Sequence, residues 1–482
     1  MEDTLFTIVI ASVLAIFFLY QNYLSFTRDV PPEYLEQQSV VEAVRNPGEL
    51  AIYKSPKLDY SLGLRVGFGI RFDHYKVRNG NLCDAWELAM YGLEANPQKR
   101  FYFDNASIEL REINAWAQKI SSFLRENDVK ELKVPLALFI DSAEVFAAVI
   151  ACFISQITVH VCNEPDSWYV DHEGDDFFIK GTQDVPILSL KGEPSSLFEN
   201  NYAPEKDKGI ALVVSTLLGH NTSATAKFSQ INLISATASS LKHLPPSHEL
   251  SKDDRLLVIQ NEDSTEAISN TVIKILASFV SNADLYLTKN TLLGMSWKPT
   301  VVCASQNTVQ TLYQVPQGIQ KLFYWHRHFA LMQLKFSTWM ALKPYPDLRL
   351  VYVQTTTASR HVDWNNARAA LSVHIVEELG ALNVAGPFLV TDFYDYRKID
   401  ASMSEKLMFR GCVVQAEEAK LVDYDGSTLG DVCVRGHNMG KATMSMAGVG
   451  EKQITPDNEG FFQIPRIKGN WGLDGCLYVY KS

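Results

Sequence analysis

His326-Arg-His328 is the pair of side chains in this chain best spaced for metal chemistry. Two histidines at i and i+2 point to one face of a β-strand and would offer two imidazole nitrogens to a cation such as zinc. No third ligand is close in sequence, and Phe323, Tyr324, Trp325 and Phe329 crowd the pair. We therefore expect aromatic packing there and no metal. The seven cysteines (Cys83, Cys152, Cys162, Cys303, Cys412, Cys433 and Cys476) include no C-x-x-C pair, which reads as reduced, buried thiols and not a zinc site or disulfide frame. Gly67-Phe-Gly69 has Phe72 where a dinucleotide-binding turn needs its third glycine. Neither a Gly-x-Ser-x-Gly elbow nor a Gly-x-x-x-x-Gly-Lys loop occurs. Asn105-Ala-Ser107 and Asn221-Thr-Ser223 are glycosylation acceptors if the body is luminal.

The elements that would position such groups belong to a large folded body. The 482 residues, 46% hydrophobic and 21% charged, call for a multi-layer domain or several domains. A net charge of −11 argues against a nucleic-acid partner, which would require clustered Lys and Arg. The first residues differ from the rest. Leu5 to Tyr20 is apolar apart from Thr7 and Ser12, and Tyr23, Leu24 and Phe26 prolong it. That length with an aromatic end suits a membrane anchor. A signal peptide would start basic and end on small residues, whereas this chain starts Met1-Glu2-Asp3. Arg28 after the run favours a cytosolic body, weakly, because Asp29 follows it.

A lead-in with Pro31-Pro32 and Pro47-Gly48 precedes alternating strands and helices. Ile113, Trp116, Ala117, Ile120 and Leu124 recur at helical spacing. Val134 to Ile140 reads as a strand followed by a helix from Ser142; Ile210 to Ser215 as a strand with a helix after Gln230; Leu256 to Ile259 as a strand with helix Thr265 to Phe279; Leu348 to Val353 as a strand with a helix from Asp363 to Leu379. Continuous apolar strands between helices imply parallel sheets covered on both faces. After Met408 only short strands follow, such as Ala419 to Val422 and Asp431 to Val434. The aromatic segment Tyr313 to Trp339 could line a lipid pocket or lie on a membrane; core packing is the reading we favour.

Glu459-Gly-Phe-Phe-Gln-Ile-Pro-Arg-Ile-Lys, Leu473-Asp-Gly-Cys-Leu-Tyr-Val-Tyr and Gly430-Asp-Val-Cys-Val-Arg-Gly-His-Asn-Met resemble the end of the large domain of adenylate-forming enzymes. That superfamily includes acyl-CoA synthetases, luciferases and peptide-synthetase adenylation domains. The resemblance runs from about Arg100 and implies an α/β fold of two stacked sheet-and-helix subdomains and a small distorted β-barrel. We divide the chain into an anchor (1–27), a lead-in (28–95), the α/β subdomains (96–402) and a β-rich subdomain (403–482). Ser482 falls at the family's hinge, so the small C-terminal subdomain with its catalytic lysine is expected to be missing.

The family's nucleotide contacts map onto altered residues. Its phosphate loop, Thr-Ser-Gly-Thr-Thr-Gly-x-Pro-Lys-Gly, aligns with Thr216-Leu-Leu-Gly-His-Asn-Thr-Ser-Ala-Thr225, in register with Ser229-Gln-Ile-Asn232-Leu233. Leu218 and Asn221 replace glycines that would free backbone amides for phosphate, and Ala224 replaces the lysine. Lys227 is expected to face solvent. The Gly-Gly-Ala-Pro adenine loop falls on Gln354-Thr-Thr-Thr357, and Tyr-Gly-x-Thr-Glu on Phe388-Leu-Val-Thr391-Asp392. The ribose-binding aspartate falls on Arg466, a cation that accepts no hydrogen bond.

From the anchor and the resemblance we expect a catalytically idle acyl-CoA synthetase-like protein of the endoplasmic reticulum membrane or lipid droplet, its body in the cytosol. It would act by binding a long-chain acyl ligand or scaffolding a protein partner, with no cofactor. One alternative is an active fatty acyl-CoA ligase using ATP and Mg²⁺, completed by a partner chain. Another is a pure interaction platform.

Overall fold

The computed structural model describes residues 2–43, 48–58, 63–72, 76–174, 176–203, 209–219, 222–399, 406–424, 429–446 and 450–481. Six parallel strands lie toward one end of the larger sheet, in the order His374–Gly380, Leu350–Thr355, Val301–Ser305, Arg255–Ile259, Asp284–Thr288 and Arg100–Tyr102. Most of their residues are buried, as uninterrupted apolar strands demand. The smaller sheet is built on Glu131–Pro135, Thr158–Cys162 and Leu212–Gly219, also parallel. Helix Thr265–Ser281 has buried side chains on every face. It packs on helices Gln230–Lys242 and Leu82–Tyr91 and touches strands of both sheets. The predicted face of helix Leu110–Glu126 is buried at all five positions, Ile113, Trp116, Ala117, Ile120 and Leu124.

The strands after Leu407 are β-rich as expected, and they join the two sheets. Leu407–Val413, Glu417–Val422, Gly430–Gly436, Phe462–Trp471 and Leu477–Lys481 continue the larger one in antiparallel register. Lys441–Met446 and Gly450–Ile454 extend the smaller one.

Three expected elements differ. The strand predicted over 134–140 is Glu131–Pro135. Pro135 has no N–H for the ladder, and Leu138 and Phe139 turn back to donate to its carbonyl. The helix predicted over 363–379 is only Asn365–Leu371. Ser372, at φ 54°, caps it in the left-handed region, and His374–Gly380 is the buried parallel strand. His326 and His328 lie on helix Gln320–Met332, where residues two apart point about 200° apart around the axis, so they share no face. The N-terminal helix is Glu2–Phe26, and Phe6–Phe26 is long and apolar enough to cross a membrane.

Candidate functional site

A cleft of about 120 Å³ opens at the carboxyl ends of the parallel strands, the place where open α/β sheets bind ligands. Leu218, Ser264, Glu266, Thr356, Leu382 and Arg466 line it. Three of the four mapped nucleotide segments therefore do converge: the 216–225 stretch through Leu218, the 354–357 stretch through Thr356 and Thr357, and the 464–466 stretch through Arg466.

The detail at each is set by backbone pairing. Leu212–Gly219 and Thr222–Phe228 form an antiparallel hairpin in which Thr216 pairs with Ala224, Leu217 with Ser223 and Gly219 with Thr222. His220 and Asn221 lie outside the described residues. Thr216 is buried and its hydroxyl is 2.9 Å from that of Thr265, so it fastens the hairpin to the central helix. Ala224 is packed in the core. Lys227 is exposed, as expected, and pairs opposite Val213 near the far end of the hairpin. Arg466 sits at the cleft's exposed edge with φ 67°. Glu266 faces the same space, its carboxyl pushed up by burial. The side chain of Ser264 accepts from the Ala267 N–H at the helix start.

Thr391 and Asp392 are elsewhere. They follow strand Pro387–Val390, which runs antiparallel to His374–Gly380 and so carries them back from the cleft. Thr391 exchanges hydrogen bonds with the backbone of Glu377. The segment that enters the cleft is Leu379-Gly-Ala-Leu-Asn383, through Leu382. It has a glycine at the second position of the Tyr-Gly-x-Thr-Glu pattern and an amide at the last. A Cβ on Gly380 would stand 3.1 Å from Glu266 Cβ, so the glycine permits close packing of strand end on helix.

Asp392 lines a second, larger cavity of about 330 Å³ between the lead-in and the body. Its Oδ2 accepts from Lys57 Nζ at 2.6 Å and from Tyr34 Oη at 3.1 Å. Lys57 also donates to the His243 carbonyl at 3.0 Å. His243 is buried, and its Nδ1–H donates to Ser240 O. Burial, helped by Lys57 and Lys274, holds its pKa down to about 3, so the ring is neutral. Val390, Val414, Pro56 and Cys412 supply apolar wall. Sequence spacing gave no sign of this grouping, because Tyr34, Lys57, His243 and Asp392 are brought together only by the docking of the lead-in. Glu49, Asp457 and Glu459 cluster within 4.8 Å of one another, a metal-like spacing. Lys420 Nζ lies 2.8, 3.3 and 2.9 Å from them, so the protein's own cation occupies the centre.

Solved structures share this architecture. The N-terminal domain of FACL13 from Mycobacterium tuberculosis superposes with a TM-score of 0.57 at 11% identity, over 83% of this chain and 99% of that one. A long-chain-fatty-acid-CoA ligase, FadD1 of Archaeoglobus fulgidus, gives 0.55 at 13% identity, over 87% of each chain. The luciferase-like enzyme of the mealworm Zophobas morio gives 0.56 at 10% identity, over 87% and 98%. The chain has the fold of the large domain of adenylate-forming, acyl-CoA synthetase-like enzymes. In sequence it is similar to the uncharacterized protein YHR045W of Saccharomyces cerevisiae, 23% identical across 99% of this chain and 98% of the yeast protein. No protein-family profile matches it.

Proposed function

We propose that this is a membrane-anchored acyl-CoA synthetase-like protein that has given up adenylation and acts by binding. The observation that carries the proposal is the paired hairpin at the place of the phosphate loop. Ladder pairing commits the backbone of Thr216, Leu217, Ser223 and Ala224, and Leu218, at the register shift, lines the cleft with an apolar side chain. Small-molecule sites usually enclose about 300–1,000 Å³, against about 120 Å³ here. Asp392, which the sequence aligns with the family's Mg²⁺-binding acid, is engaged by Lys57 in a different cavity. The residues present do not fit ATP and its metal.

The test is direct. The purified protein should neither bind ATP at millimolar concentration nor release pyrophosphate when given fatty acids and coenzyme A. Acyl-adenylate above a no-protein control would restore the ligase reading, with ATP and Mg²⁺ as its cofactors.

What it binds divides into two readings. The cavity beside Asp392 and His243 favours an acyl or other amphipathic ligand, with apolar walls for a chain and Lys57 and Tyr34 at its polar side. The altered cleft favours a protein partner of lipid metabolism. A melting temperature that rises with added long-chain acyl ligand selects the first; co-purification of one stable partner from detergent extracts selects the second. The anchor helix supports a membrane as the site of action, and we propose that this is the endoplasmic reticulum membrane or lipid droplet, with the body in the cytosol.

A further inference from the structure

Helix Gln320–Met332 and the segment after it carry an apolar face that the fold leaves uncovered. Tyr324, Arg327, Ala330 and Leu331 turn inward. Ile319, Leu322, Trp325, Trp339, Met340 and Leu342 remain 55–70% exposed. Trp339 lies against the helix, 5.3 Å from Phe323 and 4.8 Å from His326 between ring centroids, and its carbonyl accepts from Arg327. The exposed residues therefore belong to one surface.

That surface adjoins the N-terminal helix. Phe17 packs on Phe329 at 6.1 Å, and Tyr20 stacks on Phe329 at 6.3 Å and meets His326 at 5.5 Å. Asp29 then clamps the following chain, pairing with Lys335 at 2.9 Å and accepting from the Phe336 N–H at 2.6 Å. The anchor thus leaves the body alongside the aromatic helix. Of the apolar span Phe6–Phe26, the stretch Phe6 to Ile16 lies before the first ring contact. At 1.5 Å per residue that stretch is about 16 Å long, whereas the hydrocarbon core of a bilayer is about 30 Å thick. For the helix to span, the bilayer must reach the level of Phe17 to Tyr20, and so of His326 and Phe329.

Charge points the same way. No Asp or Glu occurs between Asp284 and Asp347, in a chain with 55 acidic residues, and Lys321 and Lys343 adjoin the exposed Leu322 and Leu342 in the chain, while Arg327 is buried and Lys335 is paired with Asp29. An acid-free segment with exposed tryptophans and lysines suits the headgroup layer of a leaflet containing anionic lipid.

We infer that the face of helix Gln320–Met332, with residues 339–342, is a membrane-contact surface seated in the headgroup layer of the leaflet that the N-terminal helix enters. The inference rests on the anchor reading. All seven native cysteines are buried, so an introduced surface cysteine can be labelled selectively in the full chain. The labelled protein is reconstituted into phosphatidylcholine–phosphatidylserine vesicles carrying nitroxide lipids. A fluorophore at L322C should be quenched most by shallow nitroxides and one at V13C most by deep ones. A fluorophore at E173C, on a hairpin of the smaller sheet, should be unaffected by either.

In the double variant L322E/W325E, a fluorophore at L342C should lose most of its quenching while one at V13C keeps it. Quenching at V13C without quenching at L322C overturns the inference and leaves the anchor standing. Quenching at neither removes the anchor and the inference together. Undiminished quenching at L342C in the double variant overturns the role of the helix face.

Discussion

Lys57 Nζ stands 2.6 Å from Asp392 Oδ2, joining the lead-in to the segment that follows strand Pro387–Val390. Asp392 is 7% exposed, and besides Lys57 its side chain accepts from Tyr34 Oη and the Tyr394 N–H. Burial and the adjacent carboxylate push the Tyr34 phenol well up, so it stays a donor. An acid that the sequence aligns with the family's metal-binding residue serves here to hold one segment of the protein against another.

Substituting Lys57→Met should therefore cost about 1–3 kcal/mol, the usual penalty for stripping a buried carboxylate of a charged donor. Asp392→Asn should cost a similar amount. The two losses should not add: a double-mutant cycle by urea unfolding should show about 1 kcal/mol of coupling. Additive losses would mean that the pair does not hold the lead-in.

His243 predicts an acid-side loss of stability. Its folded pKa of about 3 lies below the ordinary 6.5 because burial disfavours the imidazolium. The unfolded chain then binds the extra proton as pH falls below about 6.5, so stability declines from there toward pH 3. Between about pH 7 and pH 5 the contribution is about 2 kcal/mol. Glu377, pushed up to about 7 by burial, works oppositely and costs stability as pH rises from its ordinary value toward 7. The measurement is a comparison of His243→Gln with the parent. The variant's stability should fall less steeply over that interval, and parallel curves would show that His243 is not held neutral.

The fold was legible where periodicity and burial agree. Helix Thr265–Ser281 is capped by Ser264 and strand Arg255–Ile259 is wholly apolar after its first residue, and both were readable to within about two residues. The 363–379 stretch misled because a buried strand, His374–Gly380, follows a short helix with no glycine or proline between them. The punctuation is Ser372 in the left-handed region, a residue type that rarely signals it. Asp392 follows the next strand, Pro387–Val390, which runs antiparallel to His374–Gly380 and away from the cleft that Leu382 enters. The cavity at His243 was invisible for another reason. Its walls come from residues 33–38, 55–57, 243, 390–392 and 412–415, and no local pattern links segments so far apart.

Lys274 and Glu378 give a stability prediction inside the core. Both side chains are 1% exposed and their charged atoms are 2.5 Å apart. Lys274 Nζ also lies 3.1 Å from Ser240 Oγ and 3.7 Å from the centroid of Tyr352, while Asn270 donates to the other Glu378 oxygen. Lys274→Met leaves a buried carboxylate without its cation and should cost about 3–5 kcal/mol. The double variant Lys274→Met/Glu378→Gln removes both charges and should recover part of that loss. A double variant less stable than Lys274→Met, by chemical denaturation, would contradict the pairing.

Topology gives the last prediction. Asn105 is exposed, so its acceptor sequence is open to glycosylation if the body enters the lumen. Asn221, outside the described residues, is the second acceptor. With the body cytosolic, endoglycosidase treatment should leave the protein's gel mobility unchanged; a shift would reverse the orientation. The full chain should stay with membranes through alkaline carbonate washing, since Phe6–Phe26 is long and apolar enough to span. Deleting residues 1–27 should leave the aromatic face around Trp325 as the remaining contact. An interfacial helix face binds far more weakly than a spanning segment. The deleted form should therefore sediment in part with membranes at low salt and be released by carbonate. Release at low salt would limit the contact to the anchor, and resistance to carbonate would place the anchoring outside residues 1–27.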